Sequence, residues 1–463
     1  MKLSQVNRVY FIGIGGIGMS ALARYFAALN KPVGGYDKVS KPLTKQLEKE
    51  GMIIHYKDEP TLIPSPFTEN KKSTLIIYTP AIPENHNELN YFREKGYTIK
   101  KRSEVLGMLS KELRCIGISG THGKTSISTL TAHIFNKSSL GCNAFLGGIA
   151  KNYDSNMIIN PKSKYLIAEA DEYDRSFLQL TPELALISSI DADHLDIYPN
   201  HEKLTEAFHE FTGQIAKNGT LVTQKNVEIA LPDDKKISRY TYSLNGPSDF
   251  YAENIVVKEG KYWFDLITPE EKLTNIPLAL PGLLNVENAI AALSIASLYG
   301  VDKTEMINSL NSYNGINRRF DIQIRQENMV YIDDYAHHPN EISYTLQSLR
   351  NMYPGKKIMG VFQPHLYSRT QHLAEDFAKS LDENLDEIIL LDIYPAREEP
   401  IEGVSSDLIK KAIKNTPVTL CSKEKLLETI GKKQFDVLIT MGAGDIDQMV
   451  EPIKNNYTET ESE

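Results

Sequence analysis

The chain has 463 residues, a formal net charge of −9 and an apolar share of 41%. That length accommodates about two to four domains at ~100–200 residues each. The acidic balance excludes a general nucleic-acid binder, whose phosphate contacts need clustered Lys and Arg. Cys115, Cys142 and Cys421 are scattered and form no CxxC pair, which points to a reducing compartment. No signal-peptide pattern and no 18-residue apolar run is found, so no membrane insertion is expected.

The run Val9-Tyr10-Phe11-Ile12 predicts a buried strand, and Gly13-Ile14-Gly15-Gly16-Ile17-Gly18 follows it directly. Gly13, Gly15 and Gly18 fit G-x-G-x-x-G between a strand and a helix expected over residues 19–29. Such glycines permit a tight turn and close approach of backbone to a diphosphate. A second strand ends near Asp37, where a carboxylate can meet a ribose hydroxyl or serve as a turn residue. Read alone, this loop marks a diphosphate and not a particular nucleotide. A nicotinamide dinucleotide and a nucleotide sugar both stay open. A later strand, Thr74 to Tyr78, continues an alternating pattern that implies a parallel sheet over residues 1–112.

A second block opens with the apolar run Cys115 to Ile118 and then Ser119-Gly120-Thr121-His122-Gly123-Lys124-Thr125-Ser126. The strict phosphate-loop pattern wants glycine where Ile118 stands, so only the short form Gly120-x-x-Gly123-Lys124-Thr125 remains. In this context the loop amides wrap a polyphosphate, Lys124 brings a point charge to the terminal phosphates, and Thr125 offers a hydroxyl to Mg²⁺. Two phosphate loops in successive α/β blocks argue for an enzyme that uses a nucleoside triphosphate on a nucleotide-tagged substrate. Strands over 165–168 and 184–188 run into Glu169-Ala170-Asp171-Glu172 and Asp191-Ala192-Asp193-His194-Leu195-Asp196. Carboxylates at those strand ends suit Mg²⁺, which takes oxygen ligands, and His194 could complete a divalent site. The third block, from residue 317, has strand candidates at 329–332, 357–362, 387–391 and 436–440.

Further motifs make the pattern specific: Pro281-Gly-Leu-Leu-Asn-Val-Glu-Asn288, Arg318-Arg-Phe320, Asp333-Asp-Tyr-Ala-His-His-Pro339, Phe362-Gln-Pro-His365 and Met441-Gly-Ala-Gly-Asp445. With the loop at 120–126, Glu169 to Glu172 and Asp193 to Asp196, they run the length of the chain in the order of the Mur ligase family. The chain resembles these ATP-dependent ligases, which build the peptide stem of bacterial peptidoglycan.

The resemblance implies an α/β protein of three domains. A Rossmann-like parallel sheet over 1–112 binds UDP-N-acetylmuramate. A P-loop-type ATPase domain over 113–316 binds ATP. A Rossmann-like domain over 317–463 closes on ATP and binds the amino acid. Gly13, Gly15, Gly16, Gly18 and Asp37 are expected at the UDP-sugar. Gly120, Thr121, His122, Gly123, Lys124, Thr125, Ser126, Asn285, Asn288, Arg319 and Asp334 are expected at ATP, with Asp333 the alternative to Asp334. Thr125, Glu169 and His194 would serve Mg²⁺. Lys124, Glu169, His194 and Arg319 carry the catalytic expectation, and His337 and Arg369 the amino acid. Within the family the motifs point to the member that adds L-alanine to UDP-N-acetylmuramate through an acyl phosphate, in the bacterial cytoplasm, as a monomer or homodimer.

Leu284 and Leu366 depart from the family pattern, at positions where histidine and arginine are usual. Four readings compete. A recycling ligase adds a murein tripeptide to the same UDP-sugar. A folylpolyglutamate synthase shares the phosphate loop but lacks the glycine block. A nicotinamide oxidoreductase and a non-catalytic nucleotide sensor belong to other classes.

Overall fold

Three sheets follow one another along the chain in this computed structural model, which describes residues 3–172, 175–191, 198, 200–258, 261–396 and 398–458. The first has five parallel strands, β1 (Arg8–Ile12), β2 (Val33–Tyr36), β3 (Ile53–His55), β4 (Thr74–Tyr78) and β5 (Thr98–Lys101), in the order β3-β2-β1-β4-β5. Val9 and Phe11 pack into one core with Leu22 and Phe26 of the helix Ile17–Ala28. Tyr10 and Ile12 enter a second core with Phe67 and Phe92. Both faces of β1 are thus covered, which is why it reads as a continuous apolar run. Strand order reverses at β1, so the crevice for a ligand lies at the carboxyl ends of the strands beside the glycine loop.

The second sheet has ten strands: β6 (Arg114–Ser119), β7 (Asn143–Ala150), β8 (Ser155–Ile158), β9 (Tyr165–Glu169), β10 (Leu184–Ile187), β11 (Thr220–Gln224), β12 (Ser238–Asn245), β13 (Phe250–Lys258), β14 (Lys261–Ile267) and β15 (Lys272–Leu278). Their order is β15-β14-β13-β12-β11-β10-β6-β9-β7-β8. β6 lies between its parallel neighbours β9 and β10, so the loop after β6 and the carboxylates after β9 end on the same edge. β7 and β8 form an antiparallel pair whose register shifts between Phe145 and Ala150, around Gly147 and Gly148. This hairpin and the strands from β12 to β15 extend the sheet beyond the strands legible in the sequence.

The third sheet has six strands, β16 (Asp321–Arg325), β17 (Val330–Asp334), β18 (Ile358–Phe362), β19 (Glu387–Leu391), β20 (Val418–Cys421) and β21 (Val437–Met441), in the order β16-β17-β21-β18-β19-β20. Only β16 runs antiparallel to its neighbour. Packing divides the chain into two compact units, Met1–Asn254 with Phe264–Ile276 and Asn288–Tyr313, and Ile255–Trp263 with Pro277–Glu287 and Asn314–Glu463. Among the described residues, no helix is long and apolar enough to cross a membrane.

Candidate active site

In the first unit, β6 delivers the chain into a loop built by two left-handed glycines, Gly120 at φ +129° and Gly123 at φ +81°. Neither position tolerates a side chain. A Cβ on Gly120 would stand 2.8 Å from the Ser189 nitrogen, and one on Gly123 would stand 2.9 Å from Asn288 Oδ1. Asn288 is therefore packed against the phosphate loop. The loop is braced from the end of β10. The Thr121 N–H donates to the Ser189 carbonyl at 3.1 Å, the His122 N–H donates to Ser189 Oγ at 2.9 Å, and Ser188 Oγ donates to the His122 carbonyl. His122 Nε2 lies 3.4 Å from an Asp191 carboxylate oxygen. Gly123 then starts the helix Lys124–Lys137, with Thr125 and Ser126 half-buried in its first turn.

Lys124 Nζ donates to the Gly120 carbonyl at 2.8 Å and to Glu172 Oε1 at 2.8 Å. Asp171 is 3.9 Å away. Burial alone would lower the Lys124 pKa, but Glu172, Asp171 and Glu169 outweigh it and hold the ammonium above its ordinary value. The loop thus holds a charged lysine folded back on its own carbonyl, beside a Glu172 carboxylate with no exposure at all. Sequence reasoning placed Glu172 only within an acidic run; its role as the Lys124 counter-ion needs the fold.

Glu169 ends β9. Its Oε1 accepts from the Thr125 hydroxyl at 3.1 Å and its Oε2 from the Gly147 N–H at 3.0 Å. A hydroxyl and a carboxylate in contact form an oxygen donor set, which fits Mg²⁺. Among the described residues, no group of three His, Cys, Asp or Glu side chains converges into a metal site. His194, the third expected ligand, lies outside the described residues. Gly147 was missed, although paired glycines inside a strand-like run signal a bulge or a close backbone approach.

The first glycine loop lies in the same unit. Gly13 sits at φ +86°, and its N–H and that of Ile14 donate to the Tyr36 carbonyl at 2.8 and 3.0 Å. Asp37 accepts from the Gly15 N–H at 2.7 Å and from the Val39 N–H at 3.2 Å, so its carboxylate shapes the loop. A cavity of about 310 Å³ opens between this loop and β9. Gly16, Gly18 and Arg102 line one part of it and Gly147, Glu169 and Asp171 another. The glycine loop and the carboxylate that touches Thr125 therefore open on one cavity.

The second unit assembles a different cluster. Arg318 and Phe320 both take positive φ, +62° and +46°. Arg318 donates to Asp333 at 3.0 Å and to the Gly442 carbonyl at 2.6 Å, and Thr440 donates to the other Asp333 oxygen at 2.7 Å. Asp334 accepts from the Phe320 N–H at 2.6 Å and the Ala336 N–H at 2.7 Å. Burial raises its pKa to about 6 against the pull of Arg319 and these amides. The Arg319 guanidinium lies 4.9 Å from the Tyr335 ring centre and, among the described residues, has neither hydrogen bond nor ion pair. Arg318, which sequence reasoning left without a role, is the structural arginine of the pair, and its Asp333 partner is committed to it.

His337 and His365 face each other at 6.1 Å between ring centres. Burial, helped by Arg369, pushes each imidazole down to about 4, so both are neutral at pH 7. The expected amino-acid residues His337 and Arg369 thus share one neighbourhood with His365. Leu366, in place of the usual arginine, adopts φ +71° at the start of the helix Tyr367–Asp382. Asn285 donates to the Pro281 carbonyl at 2.6 Å, and Leu284 beside it is exposed.

Family models match three segments in order: "Mur ligase family, catalytic domain" over residues 8–114, "Mur ligase middle domain" over 118–296 and "Mur ligase, glutamate ligase domain" over 318–444. A UDP-N-acetylmuramate–L-alanine ligase of Parabacteroides distasonis is 47% identical over 454 residues, covering 98% of both chains. The crystal structure of the UDP-N-acetylmuramate-alanine ligase MurC of Thermotoga maritima superposes with a TM-score of 0.78 at 25% identity, covering 98% of this chain and 99% of the other. A murein peptide ligase of Psychrobacter arcticus shares the fold, with a TM-score of 0.64 at 21% identity over 97% and 99% of the two chains.

Proposed function

The chain belongs to the Mur ligase family, and we propose that its reaction joins L-alanine to the carboxylate of UDP-N-acetylmuramate at the expense of ATP. The observation that carries this reading is the cavity on which the glycine loop, Gly147 and Glu169 open together. A sugar nucleotide anchored at one end presents its far end to the phosphate loop of the same unit.

In the first step a carboxylate oxygen of the muramoyl group attacks the γ-phosphorus. The bond to the β,γ-bridging oxygen breaks and ADP leaves. In the second, the amine of L-alanine attacks the acyl carbon, the C–O bond to phosphate breaks, and inorganic phosphate departs. Phosphoryl transfer asks the protein for position and charge neutralisation more than for covalent chemistry. Lys124 supplies a fixed positive charge, and the amides of Gly120 to Ser126 line the polyphosphate. Arg319, whose guanidinium lies over the Tyr335 ring, is the second cation of this reading. Thr125 and Glu169 would hold Mg²⁺, which when bound would supply further charge neutralisation. His337 and His365 stay neutral at pH 7, so neither repels an incoming ammonium, while Arg369 suits its carboxylate. Asn285 and Asn288 complete the nucleotide contacts, and Asp334 is the carboxylate for the ribose. The enzyme works in the bacterial cytoplasm as a monomer or homodimer.

Phosphate release with ATP, Mg²⁺ and UDP-N-acetylmuramate tests the assignment, each amino acid and the murein tripeptide being supplied in turn. L-alanine should give the highest kcat/KM. Turnover with the tripeptide and silence with L-alanine would reassign the chain to the recycling ligase.

A further inference from the structure

The two phosphate loops differ in one respect that matters for binding. The second carries its own cation, Lys124. The first, Gly13 to Gly18, contains no basic residue, and most of its amides are turned inward. The N–H groups of Gly13 and Ile14 go to the Tyr36 carbonyl, that of Gly15 to Asp37, and that of Gly16 to the Gly13 carbonyl at 3.4 Å. Only the first turn of the helix Ile17–Ala28 is left to face an anion, and a diphosphate brings about two negative charges to it.

The fold brings a cation to this place from a distant part of the chain. Arg102 opens the helix Arg102–Glu112, directly after β5. Its side chain lies over Gly18: a Cβ on that glycine would stand 3.0 Å from Arg102 Nη1 and Cδ. Arg102 lines the same cavity as Gly16 and Gly18 and is half-buried. Among the described residues its side chain makes no hydrogen bond and no ion pair. A guanidinium has five donors, and leaving it half-buried without a counter-ion is unfavourable unless an anion completes it. Glu104, two residues on, is engaged elsewhere, with Lys100 Nζ at 2.7 Å and the Lys101 N–H at 2.7 Å.

We propose that Arg102 is the cationic anchor for the diphosphate of the sugar nucleotide, gripping it against the Gly16–Gly18 turn. The assignment rests on the UDP-sugar reading of the first loop. It makes Gly18 a glycine for the sake of the guanidinium above it as well as for the turn. It also makes Arg102 a binding residue that holds the far end of the substrate toward Glu169 and takes no part in ATP or amino-acid binding.

The test compares wild type with Arg102→Gln and Arg102→Lys in titrations with UDP and with uridine, and in steady-state kinetics. Arg102→Gln should weaken UDP roughly ten- to hundredfold, the range expected for a lost charge-assisted contact, and leave uridine unchanged. KM for UDP-N-acetylmuramate should rise by a similar factor, with KM for ATP and L-alanine unmoved. Arg102→Lys should recover part of the UDP affinity. Equal losses for uridine and UDP would show a merely structural role and overturn the proposal, as would a folded Arg102→Gln protein with wild-type UDP affinity. A wild-type protein that binds neither UDP nor UDP-N-acetylmuramate would instead remove the reading on which the assignment rests.

Discussion

Gly147→Ala isolates the orientation of Glu169 from everything else in the site. The Gly147 N–H donates to Glu169 Oε2 at 3.0 Å. A Cβ on Gly147 would stand 2.5 Å from Oε1 and closer still to Oε2, nearer than real side chains approach. Either the carboxylate swings away or β7 retreats, and in both cases a hydrogen bond to a charged group is lost. Such a bond contributes about 1.5–3 kcal/mol, which at ~1.4 kcal/mol per decade is roughly a ten- to hundredfold effect. Stability should move much less, because water takes up the freed N–H of this exposed residue. Gly147 is exposed and its φ is not left-handed, so no cavity opens and no backbone strain is added. Alanine there removes some unfolded-state freedom, an effect within about 1 kcal/mol. The assay is phosphate release against Mg²⁺ concentration at saturating substrates, with thermal unfolding as the control. The variant should need more Mg²⁺ for half-saturation and should lose kcat in the stated range, with a midpoint within ~2–4 °C of wild type. Glu169→Gln should lose at least as much. Wild-type kcat and an unshifted Mg²⁺ curve in Gly147→Ala would refute the assignment of Glu169 to the metal.

Lys124→Ala should lower kcat by at least about a hundredfold, the scale of a lost electrostatic stabiliser of the transition state. It should also destabilise the first unit by about 3 kcal/mol, because the fully buried Glu172 loses the ammonium at 2.8 Å; retained kcat would exclude Lys124 from the γ-phosphate. The His337 imidazole, ordinarily near 6.5, is pushed down to about 4 by burial. Between those values the unfolded chain binds a proton that the folded one does not, so stability falls as pH drops from about 6.5 to 4. The fall reaches about 3 kcal/mol at ~1.4 kcal/mol per unit. His337→Gln should flatten that part of the difference between urea midpoints at pH 7 and pH 4.5; a wild-type pH dependence in the variant would show that His337 carries none of it.

The parts legible in the sequence are those whose physics is local. The run Val9 to Ile12 announces a strand because both faces of β1 are buried. The Gly120–Lys124 loop announces a strand-to-helix glycine turn because turn, cation and helix start lie within a few residues. The strands from β12 to β15 stayed hidden because their burial follows no simple period: in β13 only Phe250 and Ala252 are buried along nine residues. Asp37 was legible as a carboxylate at the right place, yet a ribose hydroxyl and the Gly15 N–H are both donors, and residue type alone does not separate them. The pairings that span the chain were beyond reach for the same reason. Glu169, Asp171 and Glu172 all read simply as carboxylates. The end of β9 hands the first to Gly147 and Thr125, and the turn that follows hands the last to Lys124.

That distinction bears on how the two loops came to look unlike each other. The loop that carries Lys124 sets a buried carboxylate against it, Glu172, which is 48 residues away in the chain. A loop without a cation needs no such guard but must import its charge. In this fold β5 pairs with β4, the strand beside β1, so the helix that follows β5 begins over Gly18. A change in the β4–β5 register would shift Arg102 off the glycine loop without altering a residue of the loop itself. If Arg102 is the anchor proposed above, the charge at the first loop is a property of the sheet order, and UDP affinity should respond to substitutions that loosen β5 as well as to those at Arg102.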